Sequence, residues 1–219
     1  MDLKFPHHEN EIAQAKAAYD SKIARYWVHN GMININGDKM SKSLGNVLWA
    51  KDMIAAYGGN VIRWMMLSAH YRAPLNISEE TLSSSRKEYE RVANAMKQAS
   101  VKLSLARYTQ EGSVLDMYYQ PFLEAMADDL NTPNALAAVF EACKKLNTLI
   151  RQREIDQAQT PSLLQTLRSM MEVLGIEIEL CTLSEEDCAL YETWRGAVKA
   201  KDFAQADLLR AKLMAKGIL

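Results

Sequence analysis

The sequence lacks the features of a membrane-spanning or disulfide-bonded secreted protein. No apolar run reaches the ~18 residues of a membrane span, because charged residues such as Arg63 and Glu141 interrupt the most apolar stretches. No basic region followed by an apolar run stands at the start, so we expect no secretory signal. The three cysteines, which show no regular spacing, are Cys143, Cys181 and Cys188. A disulfide framework is therefore not expected, and a reducing cytoplasm is the predicted compartment.

A strong charge of one sign is also missing. The chain carries 26 Lys and Arg against 27 Asp and Glu, for a formal net charge of −1. This balance argues against nucleic-acid binding driven by bulk charge alone. Residues 1–72 are weakly basic, with nine Lys or Arg against six Asp or Glu. They can accept a polyanion locally, but ordinary scatter of surface charge explains the same count, so charge alone does not decide the function.

Helical periodicity dominates what the sequence does contain. Residues 8–19 predict a helix, and residues 23–29 and 32–35 predict two short strands before the turn at Asn36-Gly37. Apolar residues spaced by three and four across 136–149 and 163–174 predict the buried faces of a helical bundle, with Cys143 filling core space. Predicted helix N-caps are Ser78, Thr132, Thr160, Ser184 and Asp202. We therefore predict a mainly α chain.

The strongest local signal is the octapeptide at residues 39–46, which reads Lys-Met-Ser-Lys-Ser-Leu-Gly-Asn. It follows a turn and precedes a predicted helix. Two lysines three apart, with serines between them and a glycine after them, allow ammonium groups and backbone N–H donors to converge on a triphosphate. The alternative is a surface loop that is basic without a function, but chance matches to such a segment are rare.

A second signal is the decapeptide at residues 5–14, Phe-Pro-His-His-Glu-Asn-Glu-Ile-Ala-Gln. On a helix, His7 and Glu11 lie four residues apart and point the same way. An imidazole and a carboxylate on one face form half of a zinc site. Taken alone, such a pair more often makes a surface hydrogen bond or ion pair.

Together the two segments, with Lys39 placed 28 residues after Glu11, resemble the cysteinyl-tRNA synthetases of class I. The octapeptide is similar to the KMSKS loop of these enzymes. The resemblance implies that His7 and Glu11 bind Zn2+, with two upstream cysteines as the remaining ligands in the family. A zinc that binds the cysteine thiolate would reject serine without a separate editing reaction.

The same resemblance implies an ATP site, with Mg2+ bound to the nucleotide. Lys42 and Lys39 are the predicted catalytic residues, and both bind ATP together with Ser41, Ser43 and His29. Residues 26–32 resemble the family segment that lines the adenosine pocket, although Trp27 is equally well explained as a packed core aromatic.

Contacts to tRNA are the weaker part of the resemblance. The candidates are Arg72, Arg195, Lys199 and Lys201. Before residues 199–207 the family usually has arginines where Trp194 and Val198 stand here, which puts base reading by this segment in doubt. Its basic side chains can still contact phosphates.

The resemblance implies four parts. Residues 1–45 are a remnant of a Rossmann-like α/β catalytic domain with half a zinc site and the KMSKS loop. Residues 46–112 form a helical stem-contact region, residues 113–180 a helical bundle, and residues 181–219 a helix hairpin toward the anticodon side. The chain reads as cut at both ends, and no His-Ile-Gly-His element is present in it. We therefore expect the isolated chain to be inactive.

The parent enzyme is expected to be a cytoplasmic monomer, not bound to a membrane, that joins cysteine to tRNA(Cys) through a cysteinyl-adenylate. Two alternatives remain open at this stage. One is a paralogous ligase that activates cysteine for small-thiol biosynthesis, although residues 8–14 and the long helical C-terminal region favour the synthetase. The other is a non-catalytic helical RNA-binding module, which would bind tRNA without ATP.

Overall fold

A computed structural model describes residues 3–41 and 45–219, and this part of the chain is mainly α-helical, as predicted. The segment Lys4–His8, in which Phe5 has an extended backbone (φ −131°, ψ 131°), leads into the first α-helix. The helices of the described residues are α1 (Glu9–Tyr19), α2 (Ala50–Tyr57), α3 (Gly59–Leu67), α4 (Glu79–Leu105), α5 (Asp116–Ala127), α6 (Thr132–Ile150), α7 (Gln159–Val173), α8 (Glu185–Lys199) and α9 (Phe203–Ala215). Within the same residues, none of these helices has both the length and the apolar character to cross a membrane.

A small sheet of three strands, β1 (Ile33–Ile35), β2 (Asp38–Lys39) and β3 (Leu75–Ile77), lies in the order β2-β1-β3. The strands β1 and β2 pair antiparallel across the predicted Asn36-Gly37 turn, where both residues have positive φ angles of 51° and 90°. The strands β1 and β3 pair in parallel, with Asn34 opposite Asn76. The prediction of a strand at residues 32–35 is confirmed.

The prediction of a strand at residues 23–29 is wrong, because this segment is irregular. Tyr26 is 87% exposed and Val28 is 60% exposed, and no strand in the described part of the chain pairs with the segment. β-propensity does not produce a strand without a partner for its hydrogen bonds.

The described chain divides into two compact units. Unit 1 comprises residues 1–87 and 125–133, and unit 2 comprises residues 88–124 and 134–219. The core of unit 1 joins the sheet to α2, α3 and the start of α4 through Ile35, Met53, Ile62, Met65, Ile77 and Leu82. The four-part division inferred from the sequence stays a prediction.

The core of unit 2 contains the apolar stripes predicted from the sequence. Helix α6 buries Leu136, Val139, Cys143, Leu146 and Leu149, and α7 buries Leu163, Leu167, Met170 and Met171. Cys143 fills core space as predicted, and burial raises the pKa of its thiol. A second cluster of Val101, Leu213 and Ile218 packs against Tyr191 and Trp194 of the α8–α9 hairpin.

Three of the predicted helix caps are confirmed by hydrogen bonds. The Ser78 hydroxyl accepts from the Thr81 N–H (3.2 Å), the Ser184 hydroxyl accepts from the Asp187 N–H (3.1 Å), and the Asp202 carboxylate accepts from the Gln205 N–H (3.1 Å). Ser184 and Asp187 form a complete capping box.

The cap predicted at Thr160 is wrong. Helix α7 begins one residue earlier, at Gln159. The Asp156 carboxylate accepts from the backbone N–H groups of Ala158 and Gln159, both at 2.9 Å. The Thr160 hydroxyl is buried and has no hydrogen-bond partner. The Asp156 carboxylate thus stabilises the turn that leads into α7, and Thr160 lies inside the helix.

Candidate functional site

The predicted triphosphate loop leaves the sheet at β2, since Lys39 is the last residue of that strand. The Asn46 side chain spans the loop. Its Oδ1 accepts from the Ser41 backbone N–H (2.9 Å), and its Nδ2 donates to the Lys39 carbonyl oxygen (3.2 Å). Lys39 is exposed and Ser41 is half-buried. The predicted ATP ligands Lys42 and Ser43 lie outside the described residues.

Histidine and tryptophan side chains from two segments of unit 1 form a second cluster. The ring nitrogens His8 Nδ1 and His29 Nε2 are 3.0 Å apart, and the His8 ring centroid lies 5.0 Å from the Trp27 ring. Partial burial lowers the pKa of His29, and the neighbouring charges of His8 and Lys4 lower it further. The contact therefore favours a neutral His29 imidazole. The sequence had indicated His29 but not its partner His8.

The predicted zinc ligands His7 and Glu11 are both exposed. His7 lies in the segment before α1 and Glu11 in the first turn of α1, and the backbone angles of the intervening His8 and Glu9 are α-helical. Imidazole nitrogen and carboxylate oxygen are suitable zinc donors. Among the described residues, however, no group of three or more His, Cys, Asp or Glu side chains is arranged to hold a metal. Two further ligands would be needed to complete a tetrahedral zinc site with His7 and Glu11.

Arg72, a predicted tRNA contact, is bound to a carboxylate of its own chain. Its guanidinium donates from Nε to Asp129 Oδ2 (2.6 Å) and from Nη2 to Asp129 Oδ1 (3.1 Å). The Tyr71 hydroxyl donates to the same Oδ1 (2.6 Å), and His70 Nε2 lies 3.9 Å from Oδ2. The hydrogen bonds from Arg72 and then Tyr71 lower the pKa of Asp129 to about 2. Asp129 was not among the site residues predicted from the sequence.

The other described tRNA candidates lie in unit 2. Arg195 and Lys199, one turn apart on α8, line a groove together with Trp194. The groove continues into an adjoining cavity of about 690 Å3, and the residues lining both parts include Arg153 and Tyr191. Lys201 stands apart, in the turn after α8, with a φ of 60°.

Charged side chains of both signs and one glycine line this groove. Arg153, Arg195 and Lys199 contribute positive charge, while Glu154 and Glu192 offset part of it. Gly196 also lines the groove, and a Cβ built on it would meet no atom within 4 Å. Glycine inside a helix is destabilising by roughly 1 kcal/mol relative to alanine. The sequence analysis missed Arg153, which lies in a connection without a recognisable pattern.

Two family models match the chain. The model described as tRNA synthetases class I (C) catalytic domain matches residues 1–87, and the DALR domain model matches residues 121–179. The fold is also similar to the solved ternary complex of Agrobacterium radiobacter K84 agnB2 LeuRS with tRNA and LeuAMS. That likeness has a TM-score of 0.62 at 17% sequence identity and covers 80% of this chain and 24% of LeuRS. The matched residues and the fold are therefore those of a class I aminoacyl-tRNA synthetase.

Curated relatives indicate which kind of class I synthetase this chain is similar to. The cysteine–tRNA ligase of Brevibacillus brevis is 39% identical over 100% of this chain and 48% of its own length. The cysteine–tRNA ligase of Dichelobacter nodosus is 41% identical over 100% of this chain and 47% of its own length. The chain belongs to the cysteinyl-tRNA synthetase family, and it spans about half the length of the curated relatives it matches.

Proposed function

We propose that this chain is part of a cytoplasmic cysteine–tRNA ligase, which activates cysteine with ATP and transfers it to tRNA(Cys). The observation that carries the proposal is the loop at residues 39–46, which leaves β2 and is spanned by the Asn46 side chain, in a chain similar to cysteine–tRNA ligases over its whole length. In the complete enzyme, the cysteine carboxylate attacks the α-phosphorus of ATP, and pyrophosphate leaves.

The lysines of the loop place positive charge where negative charge develops on the leaving pyrophosphate. In this proposal Lys42 contacts the phosphates of ATP, Lys39 supports it, and Ser41 and Ser43 supply further hydrogen-bond donors. His29, neutral beside His8, binds on the adenosine side. Mg2+ accompanies the nucleotide, because a cation shared between phosphate groups neutralises developing charge.

Zinc recognition of cysteine is the second part of the proposal. His7 and Glu11 present one nitrogen and one oxygen donor from the same helical face, and two further ligands come from outside these 219 residues. A zinc ion held by these residues would supply a Lewis-acid site that favours the cysteine thiolate over a serine hydroxyl. The proposed role of His7 and Glu11 is to hold the metal in position.

Substituting Lys42 tests the catalytic assignment in a full-length protein that carries this sequence. We expect Lys42→Ala to slow cysteine-dependent pyrophosphate exchange by roughly 100-fold or more, with little change in the KM for cysteine, since this lysine stabilises chiefly the transition state. Lys51→Ala, which removes an exposed lysine from α2, is the matched control. An unchanged rate in Lys42→Ala removes this lysine from the site. The isolated 219-residue chain is expected to show no exchange.

The groove of unit 2 supports a tRNA contact through Arg195 and Lys199, with Lys201 nearby in sequence. We expect Arg195→Ala with Lys199→Ala to weaken binding of tRNA(Cys) and to reduce the slope of log affinity against log salt by about 1 for each phosphate that the protein no longer neutralises. Arg168→Ala is the control, because Arg168 is exposed on α7 and does not line the groove. Filter binding at several salt concentrations measures both quantities. An unchanged slope in the double variant contradicts the assignment.

Arg72 contributes to tRNA binding less directly in this proposal. Its guanidinium is held by Asp129, which leaves the side chain 55% exposed but partly neutralised.

Filter binding with and without ATP also distinguishes the ligase from a helical RNA-binding module, since only the ligase is expected to bind the nucleotide.

A further inference from the structure

The segment Ala125–Pro133 lies in unit 1, although the residues on either side of it, Glu124 and Asn134, lie in unit 2. Asp129 stands near the middle of this segment with a left-handed backbone, at a φ of 53°. Left-handed backbone is unfavourable for most residues, and Asp and Asn tolerate it best after glycine. The carboxylate is therefore presented from a backbone conformation that only a few residue types adopt readily.

Asp129 binds one short stretch of unit 1. Its two oxygens accept the forked pair of hydrogen bonds from Arg72, and Oδ1 also accepts from the Tyr71 hydroxyl. The Arg72 guanidinium carbon in turn lies 5.2 Å from the centroid of the Tyr71 ring. Forked arginine–carboxylate pairs restrict orientation as well as distance. This contact is called the Asp129 clasp below.

The stretch held by the clasp supports the backbone that carries His29. The Tyr71 carbonyl oxygen accepts from the Gly31 N–H at 2.6 Å. A Cβ on Gly31 would stand 2.1 Å from the Ala73 carbonyl oxygen, so the two backbones approach too closely for any other residue. The positive charge of Arg72 also acts on His29.

The two segments that meet at Gly31 and Tyr71 also pair further along, in the sheet. The Leu75 N–H donates to the Met32 carbonyl oxygen (2.9 Å), and β3 then pairs with β1 in parallel. Strand β1 leads through a two-residue turn to β2 and Lys39. Residues 71–77 therefore contact the backbone of residues 31–35, which connects His29 to the triphosphate loop. A displacement of residues 71–73 would therefore also displace the backbone of residues 31–35.

We propose that Asp129 is a positioning residue for the ATP side of the active site. It holds Tyr71 and Arg72, and through the Tyr71 carbonyl it fixes the backbone at Gly31 and the orientation of His29. In this proposal Asp129 acts on His29 through Tyr71 and Gly31 and not by a contact of its own. The inference builds on the proposed function for its effect on ATP, but the structural part stands without it.

Asp128 provides a matched control in the preceding residue. Both carboxylates are exposed, but the clasp uses only Asp129. Asn tolerates the left-handed backbone, so Asp129→Asn removes the charge without straining the chain. Asp129→Glu retains the charge and tests whether the length of the side chain matters.

The first experiment follows amide hydrogen exchange in the 219-residue chain. We expect Asp129→Asn to speed exchange at the Gly31 amide by about tenfold or more, as when a charge-assisted hydrogen bond is removed. Exchange at Gly31 in Asp128→Asn, and at Leu146 in both variants, should remain as in the parent chain. Unchanged exchange at Gly31, or equal acceleration at Gly31 and Leu146, would overturn the inference.

The second experiment measures pyrophosphate exchange in the full-length protein. We expect Asp129→Asn to raise the KM for ATP by about tenfold, to leave the KM for cysteine within about twofold, and to be partly rescued by Asp129→Glu. Faster Gly31 exchange without a change in the KM for ATP would overturn the positioning role. A parent protein without cysteine-dependent exchange would instead refute the proposed function, and the Gly31 amide would still decide whether the clasp holds this backbone.

Discussion

Residues 3–30 of unit 1 and helices α6 and α7 of unit 2 are held in place by different interactions. None of residues 3–30 is buried, and Phe5 and Tyr19 are 77% and 81% exposed. Leu146 and Leu167 are fully buried in the second region. The exposed region nevertheless carries His7, Glu11 and His29. The candidate chemistry therefore lies where the described chain has little core, and contacts such as the His8–His29 pair position it.

The largest expected effect is in the core of unit 2. Leu146→Ala removes a fully buried side chain, and such truncations reduce the free energy of unfolding by about 2–5 kcal/mol. Tyr26→Ala, in the exposed region, should change it by less than about 0.5 kcal/mol. Urea unfolding of both variants measures the difference. Equal losses would mean that residues 3–30 belong to the cooperative core, and the comparison would fail.

A smaller effect is expected at the exposed end of α8. Ser184→Ala removes half of the capping box and should reduce the free energy of unfolding by about 1 kcal/mol. The matched change is Thr193→Ala on the same helix, whose hydroxyl bonds only to the Ala189 carbonyl four residues earlier. That variant should be neutral or slightly stabilising. Thermal unfolding distinguishes the two, and a larger loss in Thr193→Ala would contradict the cap assignment.

The smallest effect is the pH dependence of the Asp129 clasp. The folded pKa of Asp129 is about 2 against an unfolded value of 3.8, so the folded chain binds fewer protons in this range. Its contribution to stability is therefore present above pH 3.8 and is lost as the pH falls toward about 2. The NMR signal of the Arg72 Nε–H should follow this titration.

Asp129→Asn should abolish that titration. A parent chain whose Arg72 signal does not change as the pH falls from 3.8 to about 2 would show that the clasp does not depend on the charge of Asp129. This result would show that the contact between Asp129 and Arg72 in unit 1 is not an ion pair that stabilises the fold.

Local patterns allowed much of the fold to be predicted. The caps at Ser78, Ser184 and Asp202, the Asn36-Gly37 turn and the stripes of α6 and α7 depend on residues within a few positions of each other. The prediction of a strand at residues 23–29 failed because a strand needs a neighbouring strand to accept its hydrogen bonds, and β-propensity does not supply one. The cap predicted at Thr160 failed because α7 already begins at Gln159, so Thr160 lies inside the helix.

The candidate site was predictable only as separate residues. The loop at residues 39–46 and the His7–Glu11 pair are short segments whose spacing indicates chemistry. The contact of Asp129 with Arg72 joins residues 57 positions apart, and the contact of His8 with His29 joins residues 21 apart. Neither pair has a spacing that periodicity can detect.

The sequence by itself determined which residues carry charge, which are candidates for metal and phosphate binding, and which helical faces are apolar. Only the tertiary structure decided that Arg72 is bound to Asp129, that His8 accompanies His29, and that Arg153 joins Arg195 in one groove. The physical reason is the range of the interactions. Helix periodicity and capping act over three or four residues, whereas a hydrogen bond or ion pair forms between any two side chains that the fold brings within about 3 Å of each other.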